Sequence, residues 1–283
     1  SGIAGAYESV KNNPEIGWEK AFKQDYGFDM YFFKDRIRTT FDYYRENRTD
    51  ILLRDGTVPS SLGFTMPYTN AGETKSWGWE VSLAYNDKLT KDFRFWTKLN
   101  LSYNQNEIIE LKETPQKNEF MFMRGHRIGS RSMYKFWKFY EGEQTKAEYE
   151  QVFGTPFPTQ LITNIQPGDC VYVDLDKDGQ IDDNDKTRDN GFTDDPEYMA
   201  GLNIGFSWKH FTFNAQLTGA WNVTRYITDV FSQPFYCASN TTQGGLLSYH
   251  VDNTWTEGIN ENANALYPRA TWNNAQQNYA APD

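Results

Sequence analysis

Apolar and polar residues alternate with a period of two along six stretches of this chain. In the first, Tyr26, Phe28, Met30 and Phe32 share one face. In the second, Ile37, Thr39, Phe41 and Tyr43 oppose Arg36, Arg38, Thr40 and Asp42. The third sets Trp77, Trp79, Val81, Leu83 and Tyr85 against Gly78, Glu80, Ser82 and Ala84. The fourth sets Phe93, Phe95, Leu99, Leu101 and Tyr103 against Arg94, Lys98, Asn100 and Ser102. Leu202, Ile204, Phe206 and Trp208 mark the fifth, and Phe211, Phe213, Ala215 and Leu217 the sixth. Side chains of extended backbone point alternately to opposite faces, so each stretch is predicted to be a strand with one apolar and one polar face. The stretches fall in three pairs, near 25–47, 76–105 and 198–222.

Connection lengths decide what kind of sheet this is. Within a pair the links are short: Lys34-Asp35, the residues around 87–91, and Lys209-His210. Between pairs they are long, at 48–75, 106–197 and 223–283. Soluble sandwiches also alternate, but long structureless links are rare in compact domains. Short turns alternating with long loops are the pattern of an outer-membrane β-barrel, whose strands cross lipid in about 9–11 tilted residues. Trp77, Trp79, Trp208, Trp221, Tyr43 and Tyr103 lie near strand ends and fit an interfacial aromatic girdle. The predicted fold is therefore all-β: an antiparallel transmembrane β-barrel segment with long external loops. Six strands are fewer than the roughly eight a membrane barrel needs, so the chain is expected to be part of a larger barrel. Its polar faces would line the lumen and its apolar faces would meet outer-membrane lipid.

Composition sharpens this picture. Aromatics make up 17% of the 283 residues, and mean hydropathy is -0.76. Aromatic residues suit strands and wet–dry boundaries. No apolar run of about 18 residues is present, which excludes a transmembrane helix. The formal net charge of -10 argues against nucleic acid as a partner. Between Pro167 and Glu197 there are 11 acidic and 3 basic residues, so one segment carries most of the imbalance and a cation is its expected companion. Cys170 and Cys237 lack CxxC spacing and a histidine cluster, which excludes a zinc site of the usual kind. They are read either as two free thiols or, in an oxidising setting, as a disulfide. The opening SGIAGAYESV has no Met, basic segment or apolar stretch, and reads as a mature piece or a fragment.

Asp174 to Asp185 reads DLDKDGQIDDND. EF-hand-type loops place oxygens at positions one, three, five, seven, nine and twelve, with Gly at six for the sharp turn. Here those positions hold Asp174, Asp176, Asp178, Gln180 through its backbone carbonyl, Asp182 and Asp185, with Gly179 at six. Ile181 is the apolar anchor. Carboxylates this close repel one another without a cation. A structural Ca2+ is expected, pinning a long external loop. The twelfth residue is Asp rather than the usual bidentate Glu, which shortens its reach. Residues 143–153 have helical composition. The basic, aromatic stretch 125–140 is read either as a binding platform, with Phe136, Trp137 and Tyr140 stacking on substrate or partner, or as a loop packing on itself. His126, His210 and His250 are scattered and no nucleophile motif stands out, so the chain is not read as an enzyme.

Several of these segments together resemble one family. NPEIGWEKAFKQDYGFDMYFFKDRIRTTFDYYRENRTDILL from Asn13, TNAGETKSWGWEVSLAYN from Thr69, PGDCVYVDLDKDGQIDDNDKT from Pro167 and VDNTWTEGINENANALYPRAT from Val251 are similar, in order, to barrel segments of SusC/RagA-like TonB-dependent transporters. The resemblance implies a barrel of about 22 strands closed inside by a plug. It also implies a bacterial outer-membrane location, a SusD-like surface lipoprotein as partner, energy supplied through TonB, and import of oligosaccharides or peptides. The plug, the TonB-contacting segment and the closing strands are expected to lie outside this chain. The alternative is a soluble calcium-dependent carbohydrate-binding module, which would share the acidic loop and the aromatics.

Overall fold

The structure is a computed structural model that describes residues 12–57, 66–228, 231, 246–261 and 264–270. In chain order the elements are β1 (Lys20–Phe32), β2 (Ile37–Arg54), β3 (Tyr68–Asp87), β4 (Phe93–Glu110), β5 (Met133–Tyr134), β6 (Phe136–Phe139), α1 (Glu143–Phe153), β7 (Cys170–Tyr172), β8 (Lys186–Thr187), β9 (Tyr198–Trp208), β10 (Phe211–Trp221) and α2 (Ser248–Asn253). The chain forms two compact units. One holds β1–β4, β9, β10 and residues 122–130; the other holds 117–121, 131–190 and the described residues from 225 on.

The first unit is one six-stranded sheet in the order β1-β2-β3-β4-β9-β10, antiparallel throughout. All six predicted strands are present and pair as predicted. The register aligns chemistry across the sheet. Tyr26, Tyr43, Trp79, Tyr103, Tyr198 and Trp221 are successive partners in one row, an aromatic on every strand. Tyr103 and Tyr198 hold their rings 4.6 Å apart. Phe93, Trp208 and Phe211 form a row near the short turns. The two rows are about 34 Å apart along the strand, or about 25 Å vertically at a barrel's usual tilt, which is the height of a lipid-facing apolar band. Midway, Leu83, Leu99, Leu202 and Leu217 make a row on the same face. On the opposite face, Asp29, Thr40, Ser82, Asn100, Gly201 and Thr218 make a polar row.

The burial pattern separates this sheet from a soluble sandwich. Among the described residues the sheet supplies only one buried apolar side chain, Ile108, while Phe28, Leu83, Leu99, Phe213, Leu217 and Trp208 stay exposed. A sandwich buries such a face against a second sheet. Among the described residues these side chains keep their exposure, as a lipid-facing wall requires.

The strands are longer than their alternation indicates. β2 runs on to Arg54, β3 begins at Tyr68 and β4 reaches Glu110, so the loops expected at 48–75 and 106–197 are shorter than that. Beyond the aromatic row the period-two contrast fades (RTDILLR, TNAGETK), while the backbone ladder continues. The ladder is also offset there by a bulge around Asp50, whose φ is 58°. β9 pairs with β4 only as far as Tyr103. The edge that β4 leaves free is met by residues 122–130: Ile108 N–H donates to the His126 carbonyl (2.9 Å) and its carbonyl accepts from Gly125 N–H (2.8 Å). Glu197 fastens the same corner, accepting from Gln105 Nε2, Arg127 Nη1 and Asn222 Nδ2 at 2.5, 3.1 and 2.8 Å.

Candidate functional site

The second unit carries the sequence's candidate residues. Two small ladders, β5–β8 and β6–β7, frame it. α1 spans the predicted residues 143–153 and ends on Gly154, whose left-handed φ of 70° lets its N–H close on Glu150. Thr145 and Tyr149, one helical turn apart, are its buried residues. Tyr149 packs with Tyr140 and Val171, joined by Trp137, Phe153, Phe157 and Ile165. A second cluster joins Tyr134, Tyr172 and Ile181, with Leu161 and Cys170 against it.

These clusters hold both ends of the aspartate loop. The buried Tyr149 hydroxyl accepts the Asp174 N–H at 2.9 Å. Ile181 enters the second cluster, and its N–H donates to the Thr159 carbonyl at 2.7 Å. Gly179 adopts φ 90°, the turn for which Gly was expected at the sixth position. At the loop's end, Asp182 and Asp185 cap the 3-10 turn Asp183–Asp185 reciprocally.

The structure brings three of the six expected ligands together. Asp174, Asp176 and Asp185 each offer an oxygen within 4.8 Å of the others. Asp174 accepts from Lys177 N–H (2.6 Å) and Gly179 N–H (2.9 Å). Asp185 is fully buried and accepts from Leu175 N–H (2.7 Å) and Asp182 N–H (2.9 Å). Burial pushes its carboxyl pKa up, against the pull of those N–H groups. Asp178 instead accepts from Gln180 N–H at 3.1 Å, and Asp182 turns to Asn184 N–H at 2.7 Å. Gln180 lies in a parallel bridge with Thr159. The three convergent groups are hard oxygen donors, two of them buried, and they fit a hard divalent cation.

Sequence spacing missed Lys117. Its ammonium lies 2.5 Å from Asp176 Oδ2 and 3.6 Å from Asp178, and it holds the Asp176 carboxyl below the usual range. No local pattern signals a partner so far upstream of the loop.

The aromatic trio divides. Tyr140 is 5% exposed and sits in the core, and Trp137 meets Tyr149 and Phe153 edge-on at 5.4 and 5.5 Å. For these two the structure takes the self-packing reading of the loop, since both rings already have protein partners. Phe136 also packs on Phe139 and Tyr172, with ring centroids 5.1 and 6.4 Å away, but at 47% exposure it keeps one face open. Cys170 is a free thiol pushed up to about 12 by burial, and Cys237 lies outside the described residues.

Comparison with known proteins places this geometry. The family described as TonB dependent receptor-like, beta-barrel, matches residues 2–281. A TonB-dependent receptor of Formosa agariphila is 34% identical over 125 residues, 44% of this chain and 12% of the relative. The TonB-dependent receptor SusC of Bacteroides thetaiotaomicron is 27% identical over 252 residues, 87% of this chain and 23% of its own length. Among solved structures, the RagAB peptide importer in its open-open state superposes with a TM-score of 0.62 at 19% identity, over 93% of this chain and 27% of that one. The chain thus spans about a quarter or less of each of these relatives.

Proposed function

This chain belongs to the TonB-dependent receptor β-barrel family, and from that premise we propose that it forms part of the wall of an importer for oligosaccharides or peptides that works with a SusD-like surface lipoprotein. The family is one of outer-membrane receptors and transporters, which locates the chain in the outer membrane and gives it no catalytic role. The family match sets aside the soluble carbohydrate-binding module.

The observation that carries the proposal is the two-sided register: an aromatic-bounded apolar face and, on the same strands, the polar row from Asp29 to Thr218. A wall that is greasy outside and polar inside conducts polar solutes past lipid. The likeness to SusC and to the RagAB importer, and the segments from Pro167 and Val251, support the lipoprotein partner and the cargo class. The aspartate loop is proposed to hold a structural Ca2+ on Asp174, Asp176 and Asp185, supported by their convergence. Ca2+ would neutralise the cluster and stiffen the turn after β7. Among the aromatic trio only Phe136 is proposed to meet partner or substrate.

The test uses the full-length parent protein, extracted in detergent and purified through a tag, with co-purifying proteins identified by mass spectrometry. A stoichiometric surface lipoprotein is expected. Recovery from membranes with no lipoprotein at any step would overturn the partnered-importer reading.

A further inference from the structure

Residues 246–261 and 264–270 form a strap built around α2. Its internal bonds are local: Trp255 N–H to the Tyr267 carbonyl, Leu266 N–H to Asn253, and Thr254 N–H to His250, at 2.9, 2.9 and 2.8 Å. His250 is fully buried within it, edge-on to Tyr267 at 5.3 Å. Among the described residues, the strap's hydrogen bonds to the 131–190 insertion are confined to one turn. Arg269 Nε and Nη2 reach Asp169 Oδ1 and Oδ2 at 2.7 and 3.4 Å, and Arg269 N–H donates to the Gly168 carbonyl at 2.9 Å. Trp255 covers the same turn so closely that a Cβ on Gly168 would stand 2.4 Å from its ring.

That turn is rooted in the insertion. Asp169 is fully buried and its Oδ2 also accepts Gln166 N–H at 2.7 Å. Tyr140, in the insertion's core, exchanges backbone bonds with Gly168 and Asp169, both at 2.8 Å. The turn is therefore rigid on one side and carries the strap on the other. The Asp169 carboxylate faces no other cation in these bonds, so removing Arg269's fork leaves a buried charge uncompensated.

We propose that the Asp169–Arg269 pair, with Trp255 seated on Gly168, is a latch: it sets the position of the strap against the insertion and, when broken, frees the strap as a unit while the insertion stays folded. Elements that move are joined to a scaffold by few bonds; among the described residues this turn carries the strap's hydrogen bonds to the insertion, and Tyr267 Oη and His250 Nε2 tie the strap to the Phe231 carbonyl at 2.5 and 3.4 Å. The inference does not depend on the identity of the cargo.

The test uses the full-length protein in detergent, in a Cys170→Ser, Cys237→Ser background. Spin labels are placed by cysteine substitution at two exposed positions, Val152 on α1 and Ile259 on the strap, and their separation is read by pulsed electron spin resonance. One narrow distance is expected without further substitution. Arg269→Met, which removes the fork from the strap side, and Trp255→Ala, which removes the ring from Gly168 without touching charge or the turn's backbone, should each lose it to a broad distribution. Hydrogen exchange over 171–174, whose Asp174 amide is held by Tyr149, should stay unchanged. An unchanged narrow distance in both variants overturns the latch. So does broadening accompanied by faster exchange over 171–174, since the pair would then be part of the insertion's core.

Discussion

Trp96 lies across Gly205, its register partner on the neighbouring strand, so closely that a Cβ on the glycine would stand 2.4 Å from the indole. Tyr44 covers Gly78 in the same way, with the phenol 2.5 Å from where that Cβ would be. In each pair a large ring fills the gap left by a residue that weakens a strand on its own. Gly205→Ala should destabilise the folded barrel by about 1–3 kcal/mol through overpacking. Trp96→Ala combined with Gly205→Ala should recover part of that loss. Heat-modifiable electrophoresis of the parent protein gives the folded fraction, and a double variant no better than Gly205→Ala would refute the coupling.

The leucine row fixes which face meets lipid. Leu99 lies about 14 Å along the strand from Tyr103, near mid-depth. Leu99→Arg should cost about 2–4 kcal/mol, and its lumenal neighbour Asn100→Arg less than about 1 kcal/mol. Denaturant titrations of refolding into lipid vesicles read both. Equal costs would mean the faces are assigned the wrong way round.

At the aspartate loop, the proposed Ca2+ would have to compete with Lys117 for Asp176. Lys117→Met should tighten Ca2+ binding severalfold, while Asp185→Asn should weaken it by tenfold or more from a starting Kd on the order of 10⁻⁴–10⁻³ M. Isothermal titration on the parent protein, with Mg2+ as control, measures this. No heat at millimolar Ca2+ in the wild type would leave the loop a lysine-neutralised acidic turn.

Burial makes the insertion sensitive to alkali. Cys170 and Tyr134 are each pushed up to about 12, from ordinary values of 9.0 and 10.0, and burial raises Tyr172 as well. Their neutral forms are favoured in the fold, so the stability they confer is complete below pH 9, where the unfolded chain is still protonated. It is lost as pH climbs through the window from about 9 to 12. At pH 9, iodoacetamide should label Cys170 roughly 100-fold more slowly in the folded Cys237→Ser protein than after denaturation. Comparable rates would contradict the burial.

The sheet was legible in the sequence because each membrane-crossing strand contrasts its two faces; Leu99 and Asn100 announce outside and inside by themselves. The extensions of β2, β3 and β4 were not, because the stretches RTDILLR and TNAGETK carry no apolar–polar alternation to mark a strand. The aspartate loop was half legible. Spacing placed Asp174, Asp176 and Asp185 at converging positions, and Gly179 at the turn. It gave no warning that Asp182 would cap its own 3-10 turn, since a carboxylate that ligates and one that caps look alike in one dimension. Lys117, Tyr149 and Arg269 lay beyond reach for another reason: each acts on a residue far away in the chain, and only folding brings it there.

The uneven strand ends shape the mouth of the wall. β9 begins at Tyr198 and β10 ends at Trp221, on the aromatic row itself. From Tyr43 to Arg54, by contrast, β2 runs on for about 37 Å of extended chain, accompanied by β3. Within this sheet the rim is a high bank beside a low sill. Main-chain pairing past the aromatic row is thus concentrated on β2, β3 and β4, so this end of the sheet is reinforced on one side and bare of ladder on the other.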